Sequence, residues 1–145
     1  MRKIAFPAAV FAALAFAGTA TAHDDVLPLS IPDALAIPAA QQKLDGSVKF
    51  YFGKSDHPAV LSDIGQTAVD AHTNANKGDF EACSWVFLSA LIHLQQNAHK
   101  AGANAVINID SYYKEEDVSS ETTVPCHKGY IVAAISLKGE LVKIP

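Results

Sequence analysis

Arginine is almost missing from this chain. Arg2 is the only one among 145 residues. Without the first 22 residues the chain keeps nine lysines against fifteen acidic residues, a formal charge of −6. Such a chain is poorly equipped to bind nucleic acid or phosphate, which need clustered and bidentate cations. No G-x-x-x-x-G-K-[ST] string is present, so no loop is set to cradle a nucleotide. Ser84, Ser89, Ser111, Ser119, Ser120 and Ser136 include no G-x-S-x-G elbow. His93 and His99 are six residues apart and so do not share a helix face as i, i+4 ligands would. No apolar run after the N-terminus is long enough to cross a membrane. No internal repeat occurs.

What is present begins with MRKIAFPAAVFAALAFAGTATA. Two basic residues precede a short apolar run, and Ala20-Thr21-Ala22 supplies an A-x-A cleavage site. Residues 1–22 are therefore read as a secretory signal peptide, with the mature chain starting at His23. No cysteine lies near that site, so no lipid anchor is expected. The compartment expected is the periplasm or the exterior of a bacterium. The two cysteines, Cys83 and Cys126, form an even count in an exported chain, which favours one disulfide over two buried thiols or a metal pair.

Residues 79–113 organise the rest. Phe80, Cys83, Phe87, Ala90, Leu91, Leu94, Ala98 and Ala101 recur at three-to-four spacing and predict one amphipathic helix. Trp85, Leu88 and Ile92 widen its stripe over the first half. Asp79 is the expected N-cap, and Gly102 the left-handed residue that closes the helix. The period then changes to two. Ala105, Ile107 and Ile109 are expected on one face of a strand, against the helix stripe.

The remaining segments are read around that unit. Residues 23–46, with Pro28, Pro32 and Pro38, are expected to be an extended, loosely docked arm with at most a helical turn at Asp33–Leu35. Residues 47–145 are expected to form a single domain. SVKFYF is its first strand, and residues 54–78 are irregular apart from a short strand or helix around Asp63–Ala71. The run Glu115, Glu116 and Asp117 reads as a solvated loop tip. His127–Leu137 is expected as a strand with Ile131, Ala133 and Ile135 inward, Lys138-Gly139 as a tight turn, and Glu140–Ile144 as a final strand. The order β-α-β-β-β predicts an α+β, two-layer sandwich: one main helix packed on a mostly antiparallel sheet.

The pattern Cys83…Ala90…Leu94…Ala98…GANAVINIDSYY…Cys126-x-x-Gly129 resembles a family of exported bacterial proteins often labelled "excinuclease ATPase subunit". More distantly it is similar to RcsF, an envelope-stress sensor, and to the YbjQ-type heavy-metal-binding domain. The shared core is a helix ending in A-x-x-x-GANAV, here Ala98 through Val106, followed by a strand. The resemblance spans roughly residues 47–143 and implies an α+β fold. RcsF-like proteins carry two disulfides and a lipid anchor, whereas this chain can make only one disulfide. YbjQ-type domains are reported to form rings, which makes a homo-oligomer one arrangement to expect. Because the chain lacks a phosphate loop, the label implies no ATPase or DNA-repair activity.

For chemistry, Asp110 and Asp117 are candidates for a carboxylate pair. His23 and His127 are candidates for metal ligation, as is a site gathered from several of His57, His72, His93, His99 and His127. Cleavage after Ala20 would instead place His23 third, an arrangement suited to Cu(II) or Ni(II). His93 is expected to be capped or partly buried. No catalytic constellation is recognised, and no cofactor is expected. The sequence thus favours a non-enzymatic domain of the bacterial envelope that contacts another protein, with no nucleic acid, nucleotide or membrane span involved. The alternative is a periplasmic metal-binding protein for copper or zinc.

Overall fold

The structure is a computed structural model that describes Gly18 and residues 24–145. The expected signal peptide and His23 lie outside the described residues. Among those described, no helix is long and apolar enough to cross a membrane.

The fold is α+β. One long helix packs on a curled six-stranded mixed sheet. In chain order the elements are β1 (Asp25–Ser30), α1 (Ile31–Leu35), α2 (Pro38–Lys43), β2 (Lys49–Phe52), β3 (Ser62–Asn74), α3 (Asp79–Ala101), β4 (Ala105–Ser111), a 3-10 turn (Tyr113–Glu115), β5 (Thr123–Lys128) and β6 (Val132–Lys143). The strand β6 is the spine. All of β3 runs antiparallel along one edge. Along the other edge, β4 pairs with the half nearer the C-terminus and β5 with Ala133 and Ala134. Beyond these, β1 pairs antiparallel with β5 and β2 parallel with β4. The sheet is mostly antiparallel, as the sequence predicts.

Helix α3 forms because its apolar stripe is continuous. Cys83, Phe87, Ala90, Leu91, Leu94 and Ala98 are all buried, and together they cover the inner face of the sheet. Gly102 closes the helix at φ 77°, its amide donating to the His99 carbonyl. The N-terminus differs from expectation. Gly78 is the N-cap and makes no side-chain cap; Asp79 is the first helical residue, and its carboxylate pairs with Lys128 on β5 instead. Phe80 points outward, 51% exposed. Ala101 and His93 are also exposed.

The expected loose arm is a structural part of the core. Leu29, Ile31, Ala34 and Ala40 are buried, and β1 completes the sheet beside β5. Prolines conceal this strand in the sequence. Pro28 lies directly opposite Pro125. Two opposed prolines fit a non-hydrogen-bonded antiparallel site, where neither missing N–H would have pointed at the partner.

Strand β4 carries a bulge. Register shifts between Ile107 and Asp110, and Asn108 sits at φ 50°. An inserted residue reverses the inward–outward alternation beyond it. Val106 and Ile109 therefore face the helix, while Ala105 and Ile107 join Val142, Ile144 and Tyr51 in a second cluster on the opposite face. The three residues expected on one face are split between two.

Strand β6 does not turn at Lys138-Gly139. It runs through to Lys143, and the turn lies at Gly129–Ile131, with the Gly129 amide donating to the Val132 carbonyl. Ala133 and Ile135 are inward as expected, but Ile131 is 75% exposed. Gly139 is required by a close approach: a Cβ there would lie 2.7 Å from Val106 Cγ1 and 3.1 Å from the Ile107 carbonyl. The region expected to be irregular contains β3, thirteen residues long.

Candidate functional site

Inner-face residues fix what the outer face presents. Ala71 on β3, Ala133 on β6 and Cys126 on β5 belong to the main core. Strand alternation then turns His72, Ala134 and His127 to the opposite face. All three share one cross-strand row, because His72 pairs with Ala134 on one side and His127 pairs with Ala134 on the other. Two strand spacings separate the histidine Cα atoms by roughly 10 Å, with only a methyl group between them.

This row lies in a pocket of about 290 Å³ lined by Asp24, His72, Tyr113, Lys114, His127, Gly129, Val132 and Ala134. The His127 ring stacks on Tyr113, with centroids 3.6 Å apart and planes 14° from parallel. Its side chain is 15% exposed, and Asp24 Oδ2 lies 3.6 Å from Nδ1. That separation is an ion-pair distance rather than a hydrogen bond, so the buried Nδ1 has no hydrogen-bond partner among the described residues. Lys114 Nζ lies 3.8 Å from the same Asp24 oxygen. Lys114 and Glu115 both hold left-handed backbone conformations, at φ 51° and 63°. These are strained for residues other than glycine, and such strain gathers where surrounding contacts impose a conformation.

Of the expected metal candidates, His127 is thus in a formed pocket, and His72 is its neighbour. The other histidines are elsewhere. His57 Nδ1 contacts the Pro58 carbonyl, His93 is exposed on α3, and His99 meets Ser47. No group of three or more His, Cys, Asp or Glu among the described residues is gathered at metal-binding distances. Sequence reasoning weighed His72 only as one of several histidines, and missed Asp24 and Tyr113. The signal for His72 was the buried alternation of Val69 and Ala71, which implies an outward His72 once β3 is recognised as a strand.

Two other clusters carry less chemistry. Ser47 Oγ lies 2.6 Å from His99 Nε2 and donates to Asp45 Oδ1. A hydroxyl has one proton, and Asp45 takes it, so His99 is the donor to Ser47 rather than its base. The Ser47 hydroxyl, and then its backbone amide, hold the Asp45 carboxyl below its ordinary value, with His99 adding a smaller pull. Asp110 and Asp117 both act on Lys138. Asp117 accepts from Lys138 Nζ at 2.7 Å, which raises the lysine's pKa. Asp110 lines a shallow depression with Gln66, Asn108, Lys138 and Glu140.

Cys83 and Cys126 form a disulfide across 43 residues, with Cα atoms 5.8 Å apart. It ties the first turns of α3 to β5, directly beneath His127. Next to the His72–His127 pocket, the β5–β6 turn presents Tyr130, Ile131 and Val132, exposed by 78, 75 and 46%. No protein-family model and no curated protein matches the chain.

Proposed function

We propose that this chain is an exported, non-enzymatic α+β domain of the bacterial envelope, periplasmic or secreted, that acts through contact with another protein. Membership of the exported family carrying the helix–GANAV–strand core belongs to the same reading, without ATPase or DNA-repair activity. The observation that carries it is the β5–β6 turn. Turns ordinarily hold polar residues, glycine or proline, yet this one sets Ile131 and Val132 in water beside Tyr130. Large apolar residues grouped on the surface mark contact sites more often than scattered ones do. The disulfide is compatible with an oxidising compartment.

The test is a photo-crosslinking side chain placed at position 131 in cells, with position 54 as an exposed control. The expected result is one discrete adduct from 131, none from 54, and its loss when Val132→Lys is added. An adduct of twice the chain mass would identify a second copy as the partner. No adduct, or the same adduct from both positions, would refute the contact reading.

A second reading, a copper- or zinc-binding periplasmic protein, is favoured by the single row that places His72 and His127 on either side of Ala134.

A further inference from the structure

We infer that the outer-face pocket is a two-histidine site for a divalent transition metal, with His72 and His127 as ligands, Tyr113 as the residue that holds the His127 ring and Asp24 as the negative charge facing its Nδ1. The inference rests on the metal-binding reading above and gives it an address.

The argument begins with the buried side of His127. Tyr113 covers one face of its ring, and Asp24 faces Nδ1. A neutral imidazole carries one proton, and the carboxylate beside Nδ1 favours it there. The lone pair is then left on Nε2. At 3.6 Å the carboxylate acts on the ring as a nearby charge rather than as a hydrogen-bond acceptor, so its influence on the tautomer is electrostatic. The ring is held before any metal arrives, since stacking on Tyr113 blocks its rotation.

His72 supplies the second ligand. It is exposed, so its imidazole can swing over Ala134 at little cost. An imidazole nitrogen reaches well beyond its Cα, and two rings leaning inward across roughly 10 Å can meet over the central methyl group. A side chain larger than alanine at position 134 would fill that space. Imidazole ligands suit Cu(II) and Zn(II), and the ordinary stability order puts Cu(II) first. Water completes the coordination, so the site binds its ion exchangeably rather than as a closed structural centre. Lys114 opposes a cation electrostatically but already faces Asp24, which offsets much of its charge.

The test is titration of the full processed chain with Cu(II) and with Zn(II), read by calorimetry and by the histidine ring signals in NMR. The expected result is one equivalent of each ion, Cu(II) tighter, with the His72 and His127 signals moving together. His72→Ala and His127→Ala should each weaken binding by at least about 100-fold, and Asp24→Asn should weaken it by less than either, since only a nearby charge is lost. Ala134→Leu should block binding while both histidines remain. Thermal melts of each variant establish that it is folded, and His72→Ala on the exposed face keeps the test independent of folding.

His23→Ala separates the two ways of failing. If one equivalent survives in the His72→Ala/His127→Ala variant and disappears in His23→Ala, the metal reading stands and this site is wrong. If neither ion binds at millimolar concentration, both are wrong.

Discussion

Gly139 shows how one side chain's absence sets local geometry. It sits in a strand with an ordinary extended backbone, so its freedom to turn is not what matters. Space is: Val106 and the Ile107 carbonyl occupy the volume that a Cβ would need. Gly139→Ala should lower stability by about 1–3 kcal/mol, the usual cost of overpacking, measured by urea denaturation. A neutral result would mean that β4 can retreat at its bulge. Asp45 gives a prediction in pH. Its folded pKa is depressed, so the stability it contributes is fully present above the unfolded-state value of about 3.9. That contribution is lost as pH falls through the lower folded value. An NMR titration should place its midpoint below that of an ordinary aspartate, and Ser47→Ala should move the midpoint back up. An unchanged midpoint in Ser47→Ala would remove Ser47 as the cause.

At the scale of elements, the N-terminal strand is the clearest consequence of packing. Strand β1 contributes Leu29, which is 3% exposed against the core. Leu29→Ala should therefore cost about 2–5 kcal/mol, as buried leucines do, in an equilibrium unfolding curve. A loosely docked arm would show almost no change. The bulge in β4 is a second such case. Alternation counted along the sequence places Ile107 and Ile109 together, but one left-handed residue at Asn108 separates them. That residue also lets one short strand serve two apolar clusters. The His72–Ala134–His127 row belongs to this scale as well. It exists because β3 and β5 flank β6 at the same level, although the two histidines are 55 positions apart in the chain.

For the whole molecule, the disulfide is the main covalent constraint. Closing 43 residues restricts the unfolded chain by about 4 kcal/mol in the chain-entropy treatment. Cys83→Ser should lower stability by about 2–4 kcal/mol in oxidising buffer, and reductant should cost the wild type a similar amount. The Cys83→Ser/Cys126→Ser variant should cost no more than either single change, since both remove the same link. Free-thiol labelling of the oxidised, folded protein at both positions would contradict the bridge. Because Cys126 neighbours His127, the bridge also fixes the strand that holds the pocket's buried wall. Reduction is therefore expected to loosen that wall along with the fold.

The sequence by itself determined the long helix, its glycine stop, the mostly antiparallel α+β architecture and the cysteine pairing. Each of these is written in local terms: a 3.6 period over 23 residues, a glycine suited to φ 77°, and an even count of cysteines. Tertiary structure decided the rest. Pro28 looked like a break until its position opposite Pro125 showed that neither strand loses a ladder bond there. Lys138-Gly139 looked like a turn because glycine has two uses, a free backbone and a missing side chain, and only the neighbouring strand distinguishes them. The pocket around His127 was half legible, since His127 was a candidate, but His72 and Asp24 reach it through strand pairings distant in the chain. Such pairings depend on register, and register is set by which faces are buried together, a property of the packed molecule and of no single segment.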